Sequence, residues 1–197
     1  DFVMGVYPMI QDESCFLLAA DFDRETWQED AGAFRETCHR LDLPLVLERS
    51  RAGNGGHVWL FFEEAISASL ARKLGAHILT ETMENRPEIG LGSYDRFFPN
   101  QDTLPKGGFG NLIALPLQKH ARQRTNTVFL DVQFQPHPDQ WSFLASVRKI
   151  SRARVQALVR DAESRGRIIG VRVAAADEDE DAPWAAPPSR RQKEPPI

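Results

Sequence analysis

The run Cys15-Phe16-Leu17-Leu18-Ala19-Ala20-Asp21-Phe22-Asp23 constrains this chain more than any other stretch. It is apolar, short and bounded by polar residues, which fits a buried β-strand over Cys15–Phe22. Two carboxylates close it. On a strand alternate side chains share a face, so Asp21 and Asp23 point one way while Phe22 points to the core. Two carboxylates at the end of a hydrophobic strand make a hard-oxygen site suited to Mg²⁺ or Mn²⁺. A strand end followed by Asp23 as the N-cap of the next helix explains the same pair without chemistry.

The flanking pattern predicts a mixed fold. Trp27, Ala31, Phe34, Cys38 and Leu41 are spaced as one face of an amphipathic helix. Val3–Ile10 reads as a strand before the central run. Leu45–Glu48 and the segment from His57 to Phe62 read as two strands joined by a tight glycine-rich loop, a hairpin. A helix is expected from about Ala65 to Asn85, with Ile66, Leu70, Leu74 and Ile78 on one side. Pro87–Gly108 reads as loop. Strands are expected over Leu112–Leu117 and Thr127–Gln135, helices over Asp139–Val147 and Ser151–Arg165, and an edge strand over residues 166–173. The sum is an α+β domain of mostly antiparallel strands with helices on one face.

The domain spans residues 1–173. From Ala174 the chain turns to Ala, Pro and charge, and this stretch reads as a disordered linker or tail that cannot bury a core of its own. The chain opens on Asp1, as a piece of a longer protein would. Its net charge of −4 is set by the acidic run Asp177–Asp181; without those five residues the balance is +1, so charge neither selects nor excludes a nucleic-acid partner. Two cysteines, Cys15 and Cys38, make no disulfide framework or zinc site and read as core residues of a reduced, cytoplasmic protein. No apolar run is long enough to span a bilayer, so no membrane partner is expected.

Two further segments suit chemistry. In Glu48–His57 the glycines let backbone N–H groups approach a ligand, a nest that favours phosphate. Ser50, Arg49 and Arg51 add donors and charge, and His57 stands where it could reach a triphosphate oxygen. A plain hairpin turn with a solvated histidine is the competing account. The second segment runs from Ser93 to Asn111. Asp95 and Asp102 are candidates for a third carboxylate, and Lys106, set among glycines, suits phosphate or a template strand. A loop of this length without structure of its own is more often functional than not. Trp59, Phe61 and Phe109 could stack bases but fit core packing better. His39, His77, His120 and His137 are scattered and read as surface or satisfied residues.

Together, AADFD, ERSRAGNGGHVW and SYDRFFPNQD with PKGGFGNLIALPLQ resemble the archaeo-eukaryotic primase superfamily, over roughly residues 1–170. The likeness is to the primase-polymerase domain of TOTE conflict systems and CRISPR-associated relatives. The resemblance implies a catalytic core built on an RRM-like, mostly antiparallel sheet. It implies that Asp21, Asp23 and Asp95 are catalytic and hold two Mg²⁺ or Mn²⁺ ions. Asp131, in VFLDVQF, is the rival to Asp95. It implies that Ser50, Arg51, Gly53, Asn54, Gly55, His57, Lys106 and Asn111 bind the nucleotide. The partners implied are a DNA template and primer, NTPs or dNTPs, and a helicase or nuclease domain beyond the C-terminal linker. The chain departs from its relatives in having Ala52-Gly53 where Ser-Gly is frequent, and in lacking their upstream cysteine-rich segment. The carboxylates alone also fit a metal-dependent nuclease or phosphohydrolase, and the strand pattern alone a non-catalytic RRM-like nucleic-acid-binding module. The resemblance selects template-directed nucleotide transfer, initiating or extending strands with release of pyrophosphate.

Overall fold

A computed structural model describes residues 3–88 and 91–167. Its elements in chain order are β1 (Gly5–Val6), β2 (Ser14–Phe22), α1 (Trp27–Arg40), β3 (Val46–Arg49), β4 (Gly56–Ser67), α2 (Ala68–Asn85), β5 (Tyr94–Phe98), β6 (Ile113–Ala114), α3 (Lys119–Arg122), β7 (Phe129–Leu130), α4 (Gln140–Ser146) and α5 (Arg152–Ser164). Five strands form one antiparallel sheet in the order β5-β2-β4-β3-β7, and β1 pairs with β6 in a separate ribbon. The architecture is the expected α+β class, with the apolar strand β2 and the long hairpin strand β4 at its centre.

Alternation assigns the two faces. Leu18, Ala20 and Phe22 of β2 share one core with Val58, Leu60 and Phe62 of β4, beneath Phe34 and Cys38 of α1, Leu74 and Ile78 of α2, and Val155 and Leu158 of α5. The other face carries a smaller core. Ala19, Val46, Trp59, Phe98 and Phe129 lie there beneath Ile113, with Phe143 and Leu144 of α4 against them. Helices therefore lie on both faces, although the larger core is one-sided as expected. Cys15 and Cys38 are buried and free, and burial pushes the Cys15 thiol up to about 12.

Several boundaries differ from the sequence pattern, each for a local reason. The helix expected from Ala65 begins at Ala68, because Ile66 and Ser67 still pair with Cys15 and Ser14, and Ser67 Oγ then accepts from Leu70 N–H as the N-cap. The strand expected over Thr127–Gln135 stops at Leu130. There the Asp131 carboxylate accepts the N–H groups of Gln133 (2.8 Å) and Gln135 (2.9 Å) and folds the chain into a turn. The strands expected over Val3–Ile10 and Leu112–Leu117 shrink to two residues each. Asp23 is not the cap of α1: Thr26 holds that position, after a turn in which Trp27 N–H reaches Arg24 O. The expected loop from Pro87 to Gly108 contains β5. The edge strand expected over 166–173 and the tail from 174 fall, apart from Gly166 and Arg167, outside the described residues. Among those described, no helix is long and apolar enough to cross a membrane.

Candidate active site

Neighbouring strands bring the chemistry-bearing residues into one row. The β3–β4 hairpin, folded about Ser50–Gly55, sets Glu48 opposite His57. The β2–β4 pairing sets His57 opposite Asp21. On the far side of β2, Phe97 pairs with Ala20 and Tyr94 with Phe22, so two residues, Asp95 and Arg96, face the single Asp21. This is a β-bulge, which aims extra side chains at one place. The row runs Asp95/Arg96, Asp21, His57, Glu48, one position from each of four strands. Residues far apart in sequence thus meet through strand register alone.

His57 is the joint of the row. Its Nδ1 lies 3.1 Å from Glu48 Oε2 and its Nε2 3.4 Å from Asp21 Oδ1. Glu48 is 1% exposed, and the same Oε2 accepts the Trp59 indole N–H at 2.8 Å. An indole nitrogen only donates, so Oε2 acts as acceptor and His57 Nδ1–H donates to it. This fixes the tautomer and leaves Nε2 directed at Asp21 and the open face. Burial works against charge on His57, but the hydrogen bond and charge of Glu48, with Asp21 behind, outweigh it and hold its pKa above the ordinary value. Burial pushes the Glu48 carboxyl up. The sequence reading missed Glu48, although its place opposite His57 follows from counting the hairpin back from its loop.

Asp21 stands among charges of both signs. Burial raises its pKa most; His57 opposes, Asp95 and Asp23 add to the rise, and Arg96 opposes again. Asp95 is held by Arg96 Nε at 2.5 Å. Asp23 stands exposed just past the end of β2. Ser93 ties these pieces together: its carbonyl accepts the Asp23 N–H at 2.9 Å, while its own N–H and hydroxyl donate to Asp30 Oδ2 at 3.0 and 2.6 Å. Asp30 is buried on α1 and is a second anchor that sequence pattern does not show, because its partner lies 63 positions away.

The glycine loop lies against the carboxylates. A Cβ on Gly55 would stand 2.6 Å from Phe22 O and 3.1 Å from Asp23 Cα, so only glycine lets loop and strand end come this close. Gly53 has φ +88° and sits against the Asn126 side chain. Ser50 N–H donates to Gly55 O at 2.9 Å and Gly53 N–H to Ser50 O at 3.1 Å, which closes the loop on itself. Arg51 and Asn54 are exposed. An open cleft of about 780 Å³ lies between the loop and the β2–α1 connection, lined by Asp23, Arg24, Thr26, Asn54 and Gly92 among others.

The remaining candidates sort by what already engages them. Asp102 is 2.6 Å from the buried Arg72 guanidinium, so its charge is spent on neutralising α2. Asn111 donates to Phe97 O and accepts from Asn100 N–H, pinning the segment after β5. Lys106 is exposed on that segment. Asp131 sits beyond β7, at the opposite edge of the sheet from β5, with its carboxylate closing a turn. Of the two rivals for third carboxylate, only Asp95 is beside Asp21. Trp59 is buried, and its ring stacks parallel to Phe61.

The oxygen donors of Asp21, Asp23 and Asp95 fit a hard divalent cation in kind. As the side chains stand, His57 and Arg96 occupy two of the carboxylates. Among the described residues no three acidic, His or Cys side chains are already arranged as a ligand set. A cation would therefore have to displace these contacts.

A family model described as the archaeo-eukaryotic primase domain of the TOTE conflict system matches residues 1–158. No curated protein matches the chain.

Proposed function

Because the chain belongs to the archaeo-eukaryotic primase domain family of TOTE conflict systems, and so to a nucleotidyltransferase-type fold, we propose that it joins nucleoside triphosphates to a nucleic-acid strand on a template. The observation that carries this reading is the row in which Asp95, Asp21 and His57 stand side by side next to the glycine loop. In the proposed reaction a strand's 3′-oxygen attacks the α-phosphorus of a bound triphosphate and pyrophosphate leaves.

Asp21, Asp23 and Asp95 would hold Mg²⁺ or Mn²⁺, which supply charge neutralisation on the triphosphate and acidify the attacking hydroxyl. Glu48 orients His57 and favours its charged form. A protonated Nε2 is then a donor for a phosphate oxygen, the position where a positive group is most useful as pyrophosphate departs. The N–H groups of the Ser50–Gly55 loop and the guanidinium of Arg51 cradle the remaining phosphates, with Lys106 a further cation for phosphate or template. No covalent nucleophile is needed, since phosphoryl transfer depends mainly on positioning and charge.

The test is extension of a labelled primer on a DNA template with Mg²⁺ or Mn²⁺, using NTPs and dNTPs in separate reactions. Metal-dependent growth in the wild type, lost in the Asp21→Asn/Asp23→Asn variant with its thermal midpoint kept, is the expected result. Strands that shorten instead of growing, or growth that persists at wild-type rate in the variant, would overturn the assignment.

A further inference from the structure

From Thr103 to Leu130 the chain contains Lys106, Lys119, Arg122 and Arg124 and no Asp or Glu. Three of those cations gather on α3 and the turn after it. Elsewhere Arg72 pairs with Asp102, Arg86 with Glu36 and Glu88, Arg152 with Glu64, and Arg167 with Glu81. Among the described residues no acidic side chain forms an ion pair with Lys119, Arg122 or Arg124. Such charge left unmatched on a chain of net −4 marks a surface for an anion.

The position of these residues is as telling as their charge. The turn after α3 is bonded to the glycine loop: Asn126 Nδ2 donates to Arg51 O at 3.1 Å, Thr127 N–H donates to Arg49 O at 2.9 Å, and the Asn126 amide fills the space beside Gly53. The loop thus has the carboxylates on one side and the α3 turn on the other. Arg51, His120 and Arg124 line one shallow cleft, of about 300 Å³. Lys119 lines a second, apolar cleft on the other side of α3, with Trp141 on its rim. Trp141 is 60% exposed, and the Arg122 guanidinium lies 5.8 Å from its ring centroid. A large indole left in water beside unmatched cations is the pairing that single-stranded nucleic acid requires, phosphates on the cations and an unstacked base on the ring.

We propose that α3 and its turn, with Lys119, Arg122, Arg124 and the exposed ring of Trp141, form a rail that seats a single nucleic-acid strand beside the glycine loop. This rests on the function proposed above, and it answers a problem that function raises. A polyanion approaching Asp21, Asp23 and Asp95 is repelled, so the strand must be held by positive charge a short distance away. The rail also gives the strand a direction of approach, past Arg51 toward the row.

The experiment measures binding of fluorescein-labelled oligothymidylate to the whole chain by anisotropy, without metal or nucleotide, over a range of salt. The Lys119→Gln/Arg122→Gln/Arg124→Gln variant is compared with Lys73→Gln/Arg152→Gln/Arg160→Gln, which removes the same charge from α2 and α5 on the far face. The rail variant should lose affinity about tenfold or more, and its salt slope should fall by about 0.7 for each phosphate contact removed. The far-face variant should keep the wild-type slope. Trp141→Ala should weaken binding several-fold at unchanged slope. Thermal midpoints and triphosphate binding equal to wild type show that the variants are folded. Equal losses in both triple variants, no loss in the rail variant, or no binding by the wild type would overturn the rail. Failure of primer extension with the slope difference intact would overturn the proposed reaction and leave the rail standing.

Discussion

Glu48 is a charged side chain in a place where charge is expensive, and its two donors explain why it is there. Burying a carboxylate without partners costs several kcal/mol; here the indole N–H of Trp59 and Nδ1–H of His57 both donate to it. The pair has a pH signature. His57 is held above its ordinary 6.5 and Glu48 above its ordinary 4.5, so both bind protons more tightly in the folded chain. The stability they contribute is complete in acid. It declines as pH rises from 4.5 for Glu48, and from 6.5 for His57, toward their folded values. Without divalent cation, the thermal midpoint of the wild type should fall across this window, and that of Glu48→Gln should fall less. Parallel curves would show that the pair does not titrate as a unit. Asp21 and His57 were legible in the sequence because each sits in a short local signal, a strand ending in acid and a strand leaving glycines. Glu48 and Asp30 were not, since each takes its meaning from a partner that only folding brings near.

Among the elements, the β3–β4 hairpin does most to build the site, and its glycines are the fragile part. Adding one methyl at Gly55 pushes into Phe22 O, backbone that cannot swing aside. Gly55→Ala should therefore cost about 1–3 kcal/mol in urea unfolding and weaken triphosphate binding. Gly92→Ala, where a Cβ meets nothing within 4 Å, should stay within about 0.5 kcal/mol of wild type. A hairpin was readable from two apolar runs around Gly and Asn. Strand β5 was not. It has charge at Asp95 and Arg96 where alternation needs regularity, and it lies among Gly, Pro and Asn that signal loop. The shortened β7 has the opposite cause: Val128, Leu130, Val132 and Phe134 alternate like a strand, but the Asp131 carboxylate captures the backbone and turns it.

On the scale of the molecule, the larger core and the row of candidate site residues lie on opposite sides of one sheet. The large core under α1, α2 and α5 holds the fold, while the row of polar residues lies at one end of the other face. A ligand for the row should stabilise the whole chain. Mg²⁺ or Mn²⁺ at a hundred times its dissociation constant should raise unfolding free energy by about 2.7 kcal/mol in the wild type and by nothing in Asp21→Asn/Asp23→Asn. Calorimetric midpoints with and without cation check this; an equal rise in both proteins would place the cation elsewhere. The bulge at Asp95 and Arg96 has one more effect. Strand β5 is the outer strand of the sheet, the kind of free border along which copies of a protein zip into aggregates. The bulge interrupts its ladder, two charges stand at the break, and Asn111 takes up the Phe97 carbonyl. The irregularity that sets Asp95 beside Asp21 thus also breaks the regular ladder along which another copy would add a strand.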